Sequence, residues 1–219
     1  LSHYLIKQKP SLDTRWSLAI QLVLSIKSIH QVNMSHLHLT GQNILIHLLP
    51  NHLPQLKCIN YELNYLLTKI PSLRRYADKK PNWMAPEQTE QDDDHEDSNG
   101  EQDIEQIIKD QQKSDIYAIG GILIELFSQP YHYPWKDKSI NQIIRAHHDQ
   151  RSPPELKYVK AVTEFHTTVL KKLIAQCLSY NSQERPDIHS LISKLSAIAP
   201  SKYHAVNLLM SMLETDTFL

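Results

Sequence analysis

Apolar residues recur along this chain first at helical spacing, then in short runs, then with almost no polar break. From about Leu12 to Asn33, Leu18, Leu22, Ile26 and Ile29 fall on one stripe. Their intervals of three and four predict a helix, with Asp13 or Thr14 as its N-cap. Ile44 to Leu48 and Leu56 to Asn60 are runs of strand length on either side of Pro50-Asn51, the pattern of a small hairpin. Ile116 to Phe127 is apolar on nearly every side, interrupted mainly by Tyr117, Glu125 and the Gly120-Gly121 pair. A helix without a polar face belongs in the centre of a helical domain. A last stripe, Val206, Leu209, Met210 and Leu213, is expected to dock on the domain's own core.

Polar positions add a boundary. Between Glu87 and Asp115 the residues Glu90, Asp92, Asp93, Asp94, Glu96, Asp97, Glu101 and Asp103 crowd around Ser98-Asn99-Gly100. Self-repulsion and a lack of apolar residues keep such a stretch solvated until Ile104, Ile107 and Ile108 offer a short helical stripe. A chain of 219 residues can hold one sizeable core, so a single domain is expected. With 23 basic against 24 acidic side chains, dispersed along the chain, the charge balance indicates neither nucleic acid nor a membrane surface. There is no run of eighteen apolar residues, no signal peptide, and only Cys58 and Cys177 without C-x-x-C spacing. Free thiols in the cytoplasm or nucleus are the expectation. Thirteen histidines raise the question of a metal. The best grouping, His36 and His38 with His47 or His52, has no cysteine or carboxylate at ligand spacing, so no metal is expected there.

Four motifs then appear in order. His36-Leu37-His38-Leu39-Thr40-Gly41-Gln42-Asn43 resembles the protein-kinase catalytic loop H-R-D-L-x-x-x-N, with His36, Leu39 and Asn43 on the pattern. Trp83-Met84-Ala85-Pro86-Glu87 resembles the W-M-A-P-E that closes a kinase activation segment, and Ser114-Asp115-Ile116-Tyr117-Ala118-Ile119-Gly120 the opening of the central helix of the large lobe. Cys177 to Pro186, ending Glu184-Arg185-Pro186, resembles the C-to-R-P stretch near the end of that lobe, most like the tyrosine-kinase-like branch. The resemblance implies a mainly α fold, the C-terminal lobe of the protein-kinase-like architecture with a small β-hairpin. It places residues 1–200 in the lobe, an acidic insertion at about 88–113, and a helical extension at 201–219. Leu1 to Leu5 resembles the short helix after the interlobe hinge, so the N-terminal lobe, with its Gly-rich loop and V-A-I-K lysine, is expected to be absent. Ile140 to Ala146, Val162 to Leu178 and Ile188 to Ile198 correspond to the closing helices.

The same resemblance shows which chemistry is replaced. The catalytic Asp position is His38, and Asn60-Tyr61-Glu62 stands at D-F-G. Asn43 keeps the Asn of the motif and Asn60 stands at the Asp of D-F-G, both vestigial metal positions, with Asn60 neutral where a carboxylate would make a strong magnesium ligand. Lys80 occupies the Thr position before W-M-A-P-E. Tyr65, Thr68, Ser72 and Tyr76 near Arg74 and Arg75 fall in the activation segment, where a phosphate could pair with arginine; an unmodified surface loop is the simpler expectation. Structural positions are kept, and the resemblance implies that Glu87 pairs with Arg185 and that Asp115 bonds the catalytic-loop backbone. The function this implies is a catalytically inactive pseudokinase lobe that binds protein partners, another kinase among the candidates, as scaffold or regulator, with no cofactor. The alternative is part of a divergent protein kinase using ATP and Mg, with its small lobe upstream.

Overall fold

The computed structural model describes residues 1–48, 53–61, 80–89, 104–149 and 153–200. Helix α1, Ser2–Gln8, stops at Lys9, whose backbone turns left-handed ahead of Pro10. Helix α2 follows at Leu12–Gln31. Its N-cap is Ser11, whose Oγ accepts the Thr14 amide at 3.2 Å, rather than Asp13 or Thr14. Leu12 is already helical, so those two residues lie inside the first turn, where their amides need an acceptor. The helix ends at Gln31, just short of the expected Asn33, which takes a positive φ of 55°, a conformation Asn tolerates well.

Strands β1, Ile44–His47, and β2, Gln55–Cys58, pair antiparallel with Ile44 opposite Cys58 and His47 opposite Gln55. The predicted Pro50-Asn51 turn lies outside the described residues. The hairpin is tied to α2 by Gln21, whose Oε1 accepts the Leu56 amide at 2.8 Å while its Nε2 donates to the Pro54 carbonyl at 3.1 Å.

After the short helix α3, Pro86–Thr89, the chain enters α4, Ile104–Phe127. Ile104 to Lys113, the last part of the expected acidic insertion, form the first turns of this helix. No Gly or Pro interrupts that stretch, its residues are mostly good helix formers, and Lys109 pairs with Glu105 at 2.8 Å across one turn. Three helices close the lobe. α5, Ile140–His148, carries a capping box between Ser139 and Gln142; α6, Glu164–Cys177, is capped by Thr163; α7, Ile188–Ile198, is capped by Asp187.

The core forms where α2 packs against α4, α7 and β2, and where α6 packs against α4 and α7. Every residue of α4 from Ser114 onward is buried, as an all-round apolar helix requires. Trp16 and Phe127 rings lie 4.6 Å apart at its end. There the buried Arg15 guanidinium donates to the Leu126 carbonyl at 2.5 Å, satisfying one of the carbonyls a helix terminus leaves open. Gly120 allows the close approach of α6: a Cβ on it would sit 2.9 Å from the Cys177 Cβ. No helix among the described residues is long and apolar enough to cross a membrane.

Candidate functional site

The loop between α2 and β1 is held from below by one carboxylate. Asp115, fully buried on α4, accepts the His36 and Leu37 amides, each at 2.7 Å, and the His30 ring Nε2 at 2.9 Å. Leu37 has φ 56°, a left-handed conformation that costs a non-glycine residue roughly 1–2 kcal/mol. Two charge-assisted bonds to consecutive amides offset that cost and fix the turn. Gln112 adds bonds to the His30 and Met34 carbonyls at 3.2 and 3.3 Å, so α4 grips the loop on both sides.

His38 emerges from this turn. Burial holds its imidazole below the ordinary histidine value, with the neighbouring His36 charge acting in the same direction and Asp115 opposing. Burial likewise lowers His36, against the pull of Asp115. Both rings are therefore neutral at pH 7. The His38 carbonyl accepts Asn43 Nδ2 at 2.6 Å, and Asn43 Oδ1 accepts Asn60 Nδ2 at 3.0 Å. His38, Asn43 and Asn60 are thus brought into one hydrogen-bonded chain. Asn43 is positioned by the single turn Gly41–Asn43, whose N-cap Thr40 accepts the Gln42 and Asn43 amides. Asn60 is positioned by the end of β2, where the Ile59 amide bonds the Asn43 carbonyl at 3.0 Å.

These residues do not fit the magnesium that such a loop holds in a kinase. Position 60 holds a neutral amide in place of a carboxylate and donates to the Asn43 oxygen a metal would use, and both Asp115 oxygens are occupied by the loop. Hard cations favour carboxylate oxygens. Among the described residues no group of three His, Cys, Asp or Glu side chains could hold a metal ion.

The other landmark residues meet about α3. Arg185 is buried and donates from Nη1 to Glu87 Oε1 at 2.6 Å and from Nη2 to Oε2 at 2.8 Å, a two-pronged pair. Ser114 Oγ donates to Glu87 Oε1 at 2.7 Å. Burial alone would raise the Glu87 carboxyl, but Arg185 and Ser114 outweigh it and hold it below the usual value.

Two polar centres had no counterpart in the sequence reading. Glu125, in the buried half of α4, accepts Trp83 Nε1 at 2.7 Å, Ser2 Oγ at 2.8 Å and Tyr131 Oη at 2.9 Å. Burial raises its carboxyl, the hydrogen bonds counteracting only in part. A charged residue inside an otherwise apolar run was the available signal. His147 on α5 is buried against Tyr117, with its Nε2 3.2 Å from the Tyr117 hydroxyl, and against Trp135 and Tyr180. Burial lowers it to about 4. Nothing in the spacing of the histidines distinguishes it.

A helical lobe whose central helix anchors an H-x-x-L-x-x-x-N loop, joined to a closing Arg through the Glu of A-P-E, defines the large lobe of a kinase-like protein. Residues 3–195 match the protein kinase domain, and the chain belongs to that family. No curated protein matches the chain significantly. Tyr65, Thr68, Ser72, Tyr76, Arg74, Arg75 and Glu62, together with residues 90–103 of the acidic stretch and 201–219 of the C-terminal extension, lie outside the described residues.

Proposed function

We propose that this lobe is a pseudokinase that works by binding other proteins as a scaffold or regulator. The observation that carries the reading is at Asn60 and His38: the D-F-G position, where phosphoryl transfer needs a metal-binding carboxylate, holds a neutral amide that donates to Asn43, and the base position holds an imidazole. Phosphoryl transfer depends on positioning and on neutralising charge. The scaffolding contacts, Asp115 to the loop and Glu87 to Arg185, are kept at the same time. Retention of these contacts beside replaced chemistry favours a shape-based role in the cytoplasm or nucleus, with a protein partner, another kinase among the candidates.

One observation favours a second reading, a divergent kinase using ATP and Mg. His38 at the base position is held neutral by burial and so has a free lone pair at pH 7. Thermal unfolding of the purified chain with and without ATP and magnesium separates the two. A ligand at about a hundred times its dissociation constant adds roughly 2.7 kcal/mol, or several degrees for a domain of this size. The scaffold reading expects no shift; a reproducible rise would overturn it in favour of nucleotide binding.

A further inference from the structure

We propose that Asn60 and Asn43 form a cation-free latch, a hydrogen-bond relay that holds the His38 loop against the hairpin where a metal ion would otherwise be required. The direction of the relay follows from elementary donor and acceptor chemistry. The His38 carbonyl can only accept, so the Asn43 group 2.6 Å from it is the NH2. That turns Asn43 Oδ1 toward Asn60, and the group facing it at 3.0 Å must be a donor. Asn60 provides one. An aspartate at 60 would set a carboxylate against the Asn43 amide oxygen, two acceptors at contact distance, and at this exposed site it would turn away into water unless a cation or a proton lay between them.

Among the described residues, the groups hydrogen-bonded around the two asparagines are neutral or acceptors. Asp115 is occupied by the loop amides, and the two nearby imidazoles are held neutral by burial. Asn43 itself is fixed through its backbone, its N–H bonding Thr40 and its carbonyl accepting from Ile59, each at 3.0 Å. Its side chain therefore cannot turn to meet an acceptor without leaving the His38 carbonyl. Asn60 has φ 66°, a conformation in which Asn is well tolerated, so the donor is presented by a backbone suited to this residue type. The latch is completed by these hydrogen bonds alone and makes the loop's shape independent of divalent metal.

The latch is independent of any partner, so its test is separate from that of the scaffold role. Amide hydrogen exchange at Ile59, whose N–H bonds the Asn43 carbonyl, reads the junction directly, with thermal unfolding alongside. In the intact chain, protection is expected to be the same in EDTA and in millimolar manganese. In Asn60→Asp, exchange should rise by up to about tenfold in EDTA, the worth of one hydrogen bond, and return toward the wild-type rate with manganese. In Asn60→Ala it should rise equally in both solutions. Three results would each overturn the proposal: added protection of the wild type by manganese, wild-type protection of Asn60→Asp in EDTA, or no recovery of Asn60→Asp with the metal.

Discussion

Removing the Glu87 carboxylate would leave the buried Arg185 guanidinium with only backbone carbonyls, those of Ser179, Lys113 and Tyr180, as acceptors. Breaking one side of a buried ion pair typically costs about 3 to 5 kcal/mol. The lower end applies here because the Glu87 side chain is 37% exposed. Glu87→Ala should therefore destabilise by about 3 kcal/mol, and thermal unfolding should show a drop of roughly 6–12 °C. His38→Ala removes a ring that holds no partner in place, since the loop is fastened through the His38 carbonyl rather than its side chain. Its unfolding temperature should stay within about 2 °C of the wild type. Equal, small changes in both variants would contradict this division of labour. At this scale the landmark residues were legible in the sequence because each stands in a local motif. Their partners were less so: nothing in the sequence marks His30 as the third donor to Asp115, which lies far along the chain, or Asn60 as a donor to Asn43, which depends on the register of the hairpin.

Among the elements, the helices were legible to within a few residues, as in Ile188–Ile198, which the family resemblance marked as a closing helix. The errors fall where two local rules compete. Ser11, Asp13 and Thr14 are all good caps, and only the point at which the backbone becomes helical chooses Ser11. The composition break before Asp115 also drew attention to charge and hid the continuity of α4, whose first turns are polar because they are exposed. Packing between elements was not legible. Gly120 reads as a defect inside a helix, yet it is the contact point between α4 and α6. In an open helix, replacing Gly by Ala gains roughly 1 kcal/mol. At 2.9 Å from the Cys177 Cβ and 3.0 Å from the Leu178 Cγ, the added methyl overpacks the core, which costs about 1–3 kcal/mol. Gly120→Ala is therefore expected to lower the unfolding temperature by a few degrees; an increase would mean that the two helices separate without cost.

For the molecule as a whole, buried ionisable groups should shape the dependence of stability on pH. Glu87, with its carboxyl lowered in the fold, adds stability above the ordinary glutamate value and loses it as pH falls through its folded value. His147, lowered from 6.5 to about 4, stays neutral in the fold, so stability is complete above 6.5 and declines as pH falls toward 4. Glu125 acts in the opposite sense. Its raised carboxyl binds a proton more tightly folded than unfolded, and stability is lost as pH rises from the ordinary glutamate value through the folded one. Glutamine at 125 can keep an oxygen on Trp83 Nε1 and present its NH2 to the Ser2 and Tyr131 hydroxyls, which can turn to accept. Urea unfolding across pH should show Glu125→Gln matching or exceeding the wild type at neutral pH and losing the decline on the alkaline side, with the acid side unchanged. A large loss at neutral pH would mean that the charge itself is needed.

Helix α4 has two unlike halves, an outer one in water and an inner one enclosed by the lobe, and their junction is wired in several directions. Gln111 meets Ser35, Gln112 meets His30 and Met34, Lys113 meets the Arg185 carbonyl, and Asp115 meets His36 and Leu37. One residue gained or lost in a helix rotates everything beyond it by about 100°. The length of the chain ahead of Gln111 is thus free to drift over generations while the lobe stays in register, whereas a single step between Gln111 and Asp115 would turn the contacts on one side of it away from their partners.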